Sequence, residues 1–176
     1  MKKEIEVKIE IQKNKLNNLL KKLRLTLKAK KLPKISQKTY GFFTPDGLSI
    51  KKGIFPRIRI DNGISTLTVK IKKNQKGNYF QRDEYDIKID SFRDGKAILK
   101  ALGYTDIKYF FKRRIPFHYK KGVEIYLDYV PKLGYFLEIE ASKEEIEKII
   151  KILNLEKEKR ITKSYLGLMY ERKMRR

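Results

Sequence analysis

The residues of this chain that could do chemistry are charged and spaced two apart. Glu4, Glu6 and Lys8 stand near the start, and the same spacing returns in Arg57 and Arg59, Lys70 and Lys72, Arg82 and Glu84, Lys112 and Arg114, and Glu138 and Glu140, with Asp128 two past Tyr126. Side chains two apart leave the same face of a β-strand, so each group backs onto apolar neighbours such as Ile5, Val7 and Ile9 or Leu67, Val69 and Ile71. Gathered together, these faces hold eight bases (Lys8, Arg57, Arg59, Lys70, Lys72, Arg82, Lys112, Arg114) and six acids (Glu4, Glu6, Glu84, Asp128, Glu138, Glu140). Clustered bases can hold a polyphosphate, arginines gripping its oxygens in forked pairs and lysines acting as point charges. Glutamates in the same place would repel bare phosphate. They make sense as ligands of Mg2+ or Mn2+, hard cations that take carboxylate and phosphate oxygens together. Acids for metal beside bases for phosphate is the equipment of phosphoryl transfer, where catalysis is mostly positioning and charge neutralisation.

Strand by strand, plainer accounts exist. Glu4 and Lys8 can be an ordinary ion pair, Arg82 and Glu84 can pair with each other, and Asp128 can be the counter-ion of an arginine. What favours a site is the number of strands that share the pattern. Burying this many ionised groups costs several kcal/mol each unless they find partners, so a purely structural role is expensive.

The elements that must position these residues follow from periodicity. After the first strand, Leu16, Leu19, Leu20, Leu23 and Leu27 predict an amphipathic helix to about Lys31, ended by Pro33. A strand over 38–43 leads through Thr44-Pro45-Asp46-Gly47 into a hairpin, and Asn62-Gly63 joins strands 55–60 and 65–73 in a second one. A polar turn at Asn74 to Asn78 precedes a strand over 80–90. A short helix from Ser91 to Leu102, capped by Gly103, precedes strands over 107–119, 123–130 and 135–141. Ser142-Lys143-Glu144-Glu145 starts a helix to about Leu153, and a last helix runs from about Thr162 to Lys173. A charged alternating face on nearly every strand predicts a closed sheet: an α+β fold with an eight-stranded antiparallel barrel, charged faces inward and helices packed outside.

Bulk properties set the frame. The 176 residues suit one domain over 1–176, with 40% hydrophobic residues for a core. The sequence opens on charge and has no apolar run of 18 residues, which predicts a cytoplasmic protein without a membrane span. It contains no cysteine and a single histidine, His118, which excludes thiol chemistry and multi-histidine zinc sites and leaves oxygen ligands for any metal. The formal charge is +23. The eight bases and six acids above account for +2, and the remaining 36 bases and 15 acids leave +21 outside them, enough to attract a polyanion such as nucleic acid.

The ordered set of motifs resembles the CYTH superfamily of triphosphate tunnel metalloenzymes. Glu4-x-Glu6-x-Lys8 is similar to its N-terminal signature, and Phe-Pro-Arg57-Ile-Arg59, Leu-Thr-Val-Lys70, Arg82-Asp-Glu84 and Lys112-Arg-Arg114 to its basic strands. Leu127-Asp128, Leu133-Gly134-Tyr-Phe-Leu-Glu138-Ile-Glu140 and Lys163-Ser164-Tyr165-Leu166 are similar to its acidic strands and C-terminal helix. Lys38-Thr39-Tyr40-Gly41-Phe42 departs from the family, lacking its acidic residue before a Tyr-Phe pair. The resemblance implies a triphosphate tunnel in which Glu4, Glu6, Glu138 and Glu140 bind Mg2+ or Mn2+. It implies that Lys8, Arg59, Lys70, Lys112 and Arg114 grip a small-molecule triphosphate with help from Arg57 and Arg82, and that Lys8, Arg59, Lys112, Glu84 and Asp128 serve catalysis. Hydrolysis of a phosphoanhydride is the leading expectation for a monomer or homodimer. Cyclisation of ATP to cyclic AMP and pyrophosphate, as in class IV adenylyl cyclases, is the alternative. A non-catalytic protein holding RNA on its basic exterior is the reading from another class.

Overall fold

Strand β1 (Lys2–Ile11) is hydrogen-bonded on both sides, and that closes the sheet. The computed structural model describes residues 2–73 and 79–174; the turn expected at Asn74 to Asn78 lies outside them. The remaining strands are β2 (Lys30–Lys31), β3 (Ile35–Phe43), β4 (Ile54–Asp61), β5 (Ile64–Lys72), β6 (Phe80–Ile89), β7 (Asp106–His118), β8 (Glu124–Val130), β9 (Gly134–Glu140) and β10 (Arg160–Ile161). Pairing runs β1-β6-β5-β4-β3-β7-β8-β9 and returns from β9 to β1, antiparallel throughout. The result is the expected eight-stranded barrel. Short β10 and β2 extend it at β1 and β7.

Register sets opposite charges side by side around the lumen. Glu4 faces Arg82, Lys70 faces Glu84, Arg114 faces Asp128 and Lys8 faces Glu138. A slip of one residue in any strand would turn its charges outward and its isoleucines and valines into a charged lumen, so the alternation itself specifies the pairing.

The outward apolar faces are covered in two places. Leu19 of α1 (Leu16–Lys21), Leu23 and Leu27 just after it, and Ile146, Ile149, Ile150 and Leu153 of α4 (Lys143–Leu153) pack on Val7, Ile9, Ile125, Leu127, Leu137 and Ile139. On the other side, Phe92 and Leu99 of α3 (Phe92–Ala101) meet Phe42, Ile58, Leu67 and Ile89. The helix α2 (Leu48–Lys51) interrupts the β3–β4 hairpin, and α5 (Tyr165–Met174) sits at one end of the barrel with Leu166 against Gly41. Ser91 and Ser142 cap α3 and α4 through their hydroxyls. None of the helices among the described residues is long and apolar enough to cross a membrane.

The first helix is shorter than its leucine pattern predicts. It widens into a π-helical stretch over Lys22–Thr26, with Leu27 N–H bonded to Lys22 and Ala29 N–H to Leu23, and Lys28 takes the left-handed conformation that ends it. Lys30 and Lys31 then pair with β7 instead of continuing the helix. Pro33 therefore follows a helix that has already stopped.

Two glycines test how tightly the connections are built. Gly53 has φ +67°, and an added Cβ would lie 2.7 Å from Lys72 Cβ, whereas Gly63 has φ +89° and open space around it. Gly63→Ala should lose about 1 kcal/mol of unfolding free energy from backbone strain, and Gly53→Ala clearly more, because it adds a clash to the same strain. Urea unfolding of both variants checks the order.

Candidate active site

Both ends of the chain and its middle meet in the lumen. Glu4, Glu6 and Lys8 from β1, Lys70 from β5, Glu84 from β6, Lys112 and Arg114 from β7, Asp128 from β8 and Glu138 from β9 are all buried; Arg57, Arg59, Arg82 and Glu140 are half-buried. Lys72 is the exception. It shares the face of Lys70 but stands exposed at the end of β5, at the rim of the barrel, although it still pairs with Arg82 and its N–H bonds to Gly53. His118 is exposed.

The charges form three groups. In the first, Lys70 Nζ donates to both oxygens of Glu4 at 2.8 Å and lies 3.2 Å from Glu84, which accepts a 2.8 Å bond from Arg57; Arg82 lies 3.2 Å from Glu4 and 3.3 Å from Glu6. Burial, with Arg57 and Arg82 nearby, holds Lys70 below the usual lysine value despite its glutamates. Glu4 ends below its ordinary value, since Arg82 and Lys70 together outweigh burial.

The second group is centred on Asp128, which is fully buried. It accepts from Lys112 at 2.7 Å, from Arg114 in a fork at 2.7 and 2.8 Å, and from the Tyr165 hydroxyl at 3.0 Å. Glu138 joins it through Arg114, through Lys112 at 3.8 Å and through Lys8 at 3.2 Å. Burial would raise the Glu138 carboxyl, but Lys112, Lys8 and Arg114 hold it well below the carboxylate range. Lys8, for its part, is raised although it is buried, because Glu6 and Glu138 face it. Asp128 and Glu138 are the counter-ions that aim three cations.

The third group is acidic. Glu4, Glu6 and Glu140 each offer one oxygen, and these three atoms lie within 4.8 Å of one another. Burial and the charges of Glu4 and Glu6 push the Glu140 carboxyl up to about 8, so at neutral pH it keeps a proton. Three carboxylate oxygens drawn together, hard donors alone, fit a small divalent cation. Glu138, also expected among the ligands, lies outside this trio; its oxygens rest on Lys8, Lys112 and Arg114, as those of Glu4 rest on Lys70 and Arg82 and those of Glu6 on Lys8 and Arg82.

Three residues of the lumen were given no role by the sequence. Tyr165, which stands in the motif similar to the C-terminal helix, is buried with its hydroxyl on Asp128 and its ring 4.7 Å from Lys8 and 5.2 Å from Lys112. Closure of the barrel by α5 brings it there, which the motif alone does not tell. Tyr126 stacks on the Arg114 guanidinium at 3.8 Å, and its place on the face of Glu124 and Asp128 was the available signal. Gln37 donates to Asp61 at 3.1 Å, while its buried carbonyl oxygen has no hydrogen-bond partner among the described residues.

Two consequences can be measured. Asp128→Asn removes the charge that Lys112 and Arg114 share, so unfolding free energy should fall by about 3–5 kcal/mol, while Tyr165→Phe should lose only about 1 kcal/mol. For Glu140, the folded chain keeps a proton that the unfolded chain releases between pH 4.5 and about 8. The stability from this group is complete below pH 4.5 and lost as pH rises through about 8. In metal-free buffer the stability of Glu140→Gln relative to wild type should therefore rise between pH 5 and pH 8, by on the order of a few kcal/mol.

The CYTH domain model matches residues 2–165. The chain is 33% identical over 176 residues to a Methanocaldococcus jannaschii protein provisionally named adenylate cyclase MJ0240, covering 94% of this chain and 97% of that protein. Among solved structures it superposes on the PH1819 protein of Pyrococcus horikoshii OT3 with a TM-score of 0.75 and 30% identity, over 96% and 99% of the two chains. At 17% identity, the fold is shared with HpAC1 from Hippeastrum, provisionally named an adenylyl cyclase and described as having a dominant triphosphatase activity (TM-score 0.68; 96% and 95% covered). With its closed barrel and ordered charged strands matched over nearly the whole length, the chain belongs to the CYTH domain family.

Proposed function

We propose that this protein is an enzyme that binds a linear triphosphate in its lumen, together with Mg2+ or Mn2+, and hydrolyses a phosphoanhydride bond. One observation carries the reading: a single closed lumen holds a set of bases on five strands beside three carboxylates crowded enough to keep a proton on Glu140. Unsatisfied donors add to it. Among the described residues the buried Nε of Arg57 has no hydrogen-bond partner, and that of Arg59 lies 3.0 Å from Asp61 without the alignment of a hydrogen bond. An unsatisfied buried donor costs about 1–3 kcal/mol, which a phosphate oxygen would recover.

The chain's residues divide the work. Arg57, Arg59 and Lys70 line one side of the lumen and Lys8, Lys112 and Arg114 the other, so a phosphate chain between them has cations on both flanks. Arg82 spans Glu4 and Glu6 and sets the position of both. Asp128, Glu138 and Glu84 hold the cations in place before substrate arrives, so little reorganisation is needed. A divalent cation on Glu4, Glu6 and Glu140 would shield phosphate oxygens from those glutamates and draw electron density from phosphorus. Water attacks the terminal phosphorus, the bond to the bridging oxygen breaks, and the departing pyrophosphate keeps the electron pair as the water gives up its proton. The clamp's bases neutralise charge on that leaving group.

The likeness to a relative named adenylate cyclase favours a second reaction in the same clamp, attack by the ribose 3′-oxygen of ATP on the α-phosphorus with loss of pyrophosphate. Incubation with inorganic triphosphate, ATP and 5′-triphosphorylated RNA, each with Mg2+ or Mn2+, separates the two. Orthophosphate release is the expected result. Cyclic AMP would establish the second reaction, and no turnover of any of the three would overturn both. Glu6→Gln should abolish turnover with the fold retained, as read by far-UV circular dichroism; undiminished activity would remove that residue from the site.

A further inference from the structure

The outer wall of the barrel has an opening in its helical cover. The α1 and α4 layer ends at Ile115 and Tyr135, and α3 reaches Tyr40, where Phe92 stacks at 4.7 Å. Between them a strip of outward positions on β3, β7 and the end of β8, from Lys38 and Tyr109 to Arg113 and Tyr129, is exposed or half-buried. Tyr40 faces Tyr109 with ring centroids 5.9 Å apart, Lys38 faces Phe111 in the next row, and Arg113 faces Tyr129 in the row after that. Tyr109 is 70% exposed, Lys38 and Arg113 are exposed, and Phe111 and Tyr129 are half-buried.

Rings and bases therefore alternate on one face, with rows about 7 Å apart. No acidic residue occupies an outward position of these strands in the strip. The strip also sits in the most one-sided part of the sequence: residues 11–45 hold ten bases and no acid. Lys34 precedes β3, and exposed Lys132 stands in the β8–β9 turn. A protein partner meeting so basic a surface would have to be strongly acidic and flat. A single nucleic-acid strand supplies both needs at once, since its bases stack on aromatic faces and its phosphates meet Lys and Arg.

We propose that the face formed by Lys38, Tyr40, Tyr109, Phe111, Arg113 and Tyr129 binds single-stranded nucleic acid, with the rings stacking bases and Lys38 and Arg113 contacting phosphates. This surface is separate from the lumen, and the inference stands independently of the reaction proposed there. Its charge explains a part of the +23 that the lumen, nearly balanced in sign, does not use.

The test uses fluorescein-labelled 5′-hydroxyl single strands of RNA and DNA, which carry no triphosphate for the lumen, with the duplex of the same sequence as control. Wild type should bind the single strands at least fivefold more tightly than the duplex. Tyr109→Ala should weaken single-strand binding at least fivefold. Lys38→Glu with Arg113→Glu should weaken it at least tenfold and flatten the salt dependence by about 1.4 in the log–log slope, two phosphate contacts' worth. Both variants change exposed side chains and should melt within a few degrees of wild type. Binding by both variants equal to wild type would overturn the assignment. So would a loss on charge reversal with none in Tyr109→Ala, since that marks diffuse attraction to the basic surface without stacking.

Discussion

A charge sealed inside a barrel must have an opposite charge beside it, and this constraint shapes the whole lumen. Water is largely excluded there, so each lysine, arginine and carboxylate would be uncompensated without a neighbour, at several kcal/mol apiece. Strand register supplies the neighbours. Glu4 opposite Arg82, Lys8 opposite Glu138, Lys70 opposite Glu84 and Arg114 opposite Asp128 compensate one another across the ladder. The fold and the site are thus one arrangement: the alternation that forms the strands also aims the charges.

The compensation is uneven, and the unevenness gives the lumen its character. Around Asp128 and Glu138 opposite charges interleave, three cations on two anions and a tyrosine. Around Glu140 three carboxyl groups come together. There Glu4 and Glu6 crowd a third carboxyl until it holds a proton up to about pH 8. Two glutamates two residues apart on β9 consequently behave in opposite ways, Glu138 ionised among bases and Glu140 protonated among acids. Their difference comes from neighbours supplied by other strands.

That contrast also marks what the sequence could reveal. Period-two alternation announced eight long strands, their inward faces and the closure of the sheet, because a strand with charges on one face and isoleucines on the other has few places to lie. The opposite electrostatic surroundings of Glu138 and Glu140 were not legible, since they depend on Lys8, Lys112 and Arg114 arriving from distant segments. The contact of Tyr165 with Asp128 was hidden for the same reason. Lys72 misled in the opposite sense: its parity matches Lys70, but parity says nothing about depth, and Lys72 lies exposed at the rim. The helix after β1 stopped early because Lys28 adopts a left-handed conformation, which a lysine in a leucine-rich run does not advertise.

A CYTH barrel with balanced charge inside and a large positive surplus outside separates two electrostatic tasks. The lumen gathers opposite charges at short range, whereas the exterior projects one sign over longer distances. The most direct test of the lumen is crystallographic: crystals soaked with Mn2+ and inorganic triphosphate, measured at the manganese absorption edge. An anomalous peak within coordination distance of the Glu4, Glu6 and Glu140 carboxylates, with phosphate density reaching towards Lys8, Lys70 and Lys112, is the predicted result. A lumen without such a peak, with manganese only on outer surfaces, would contradict it.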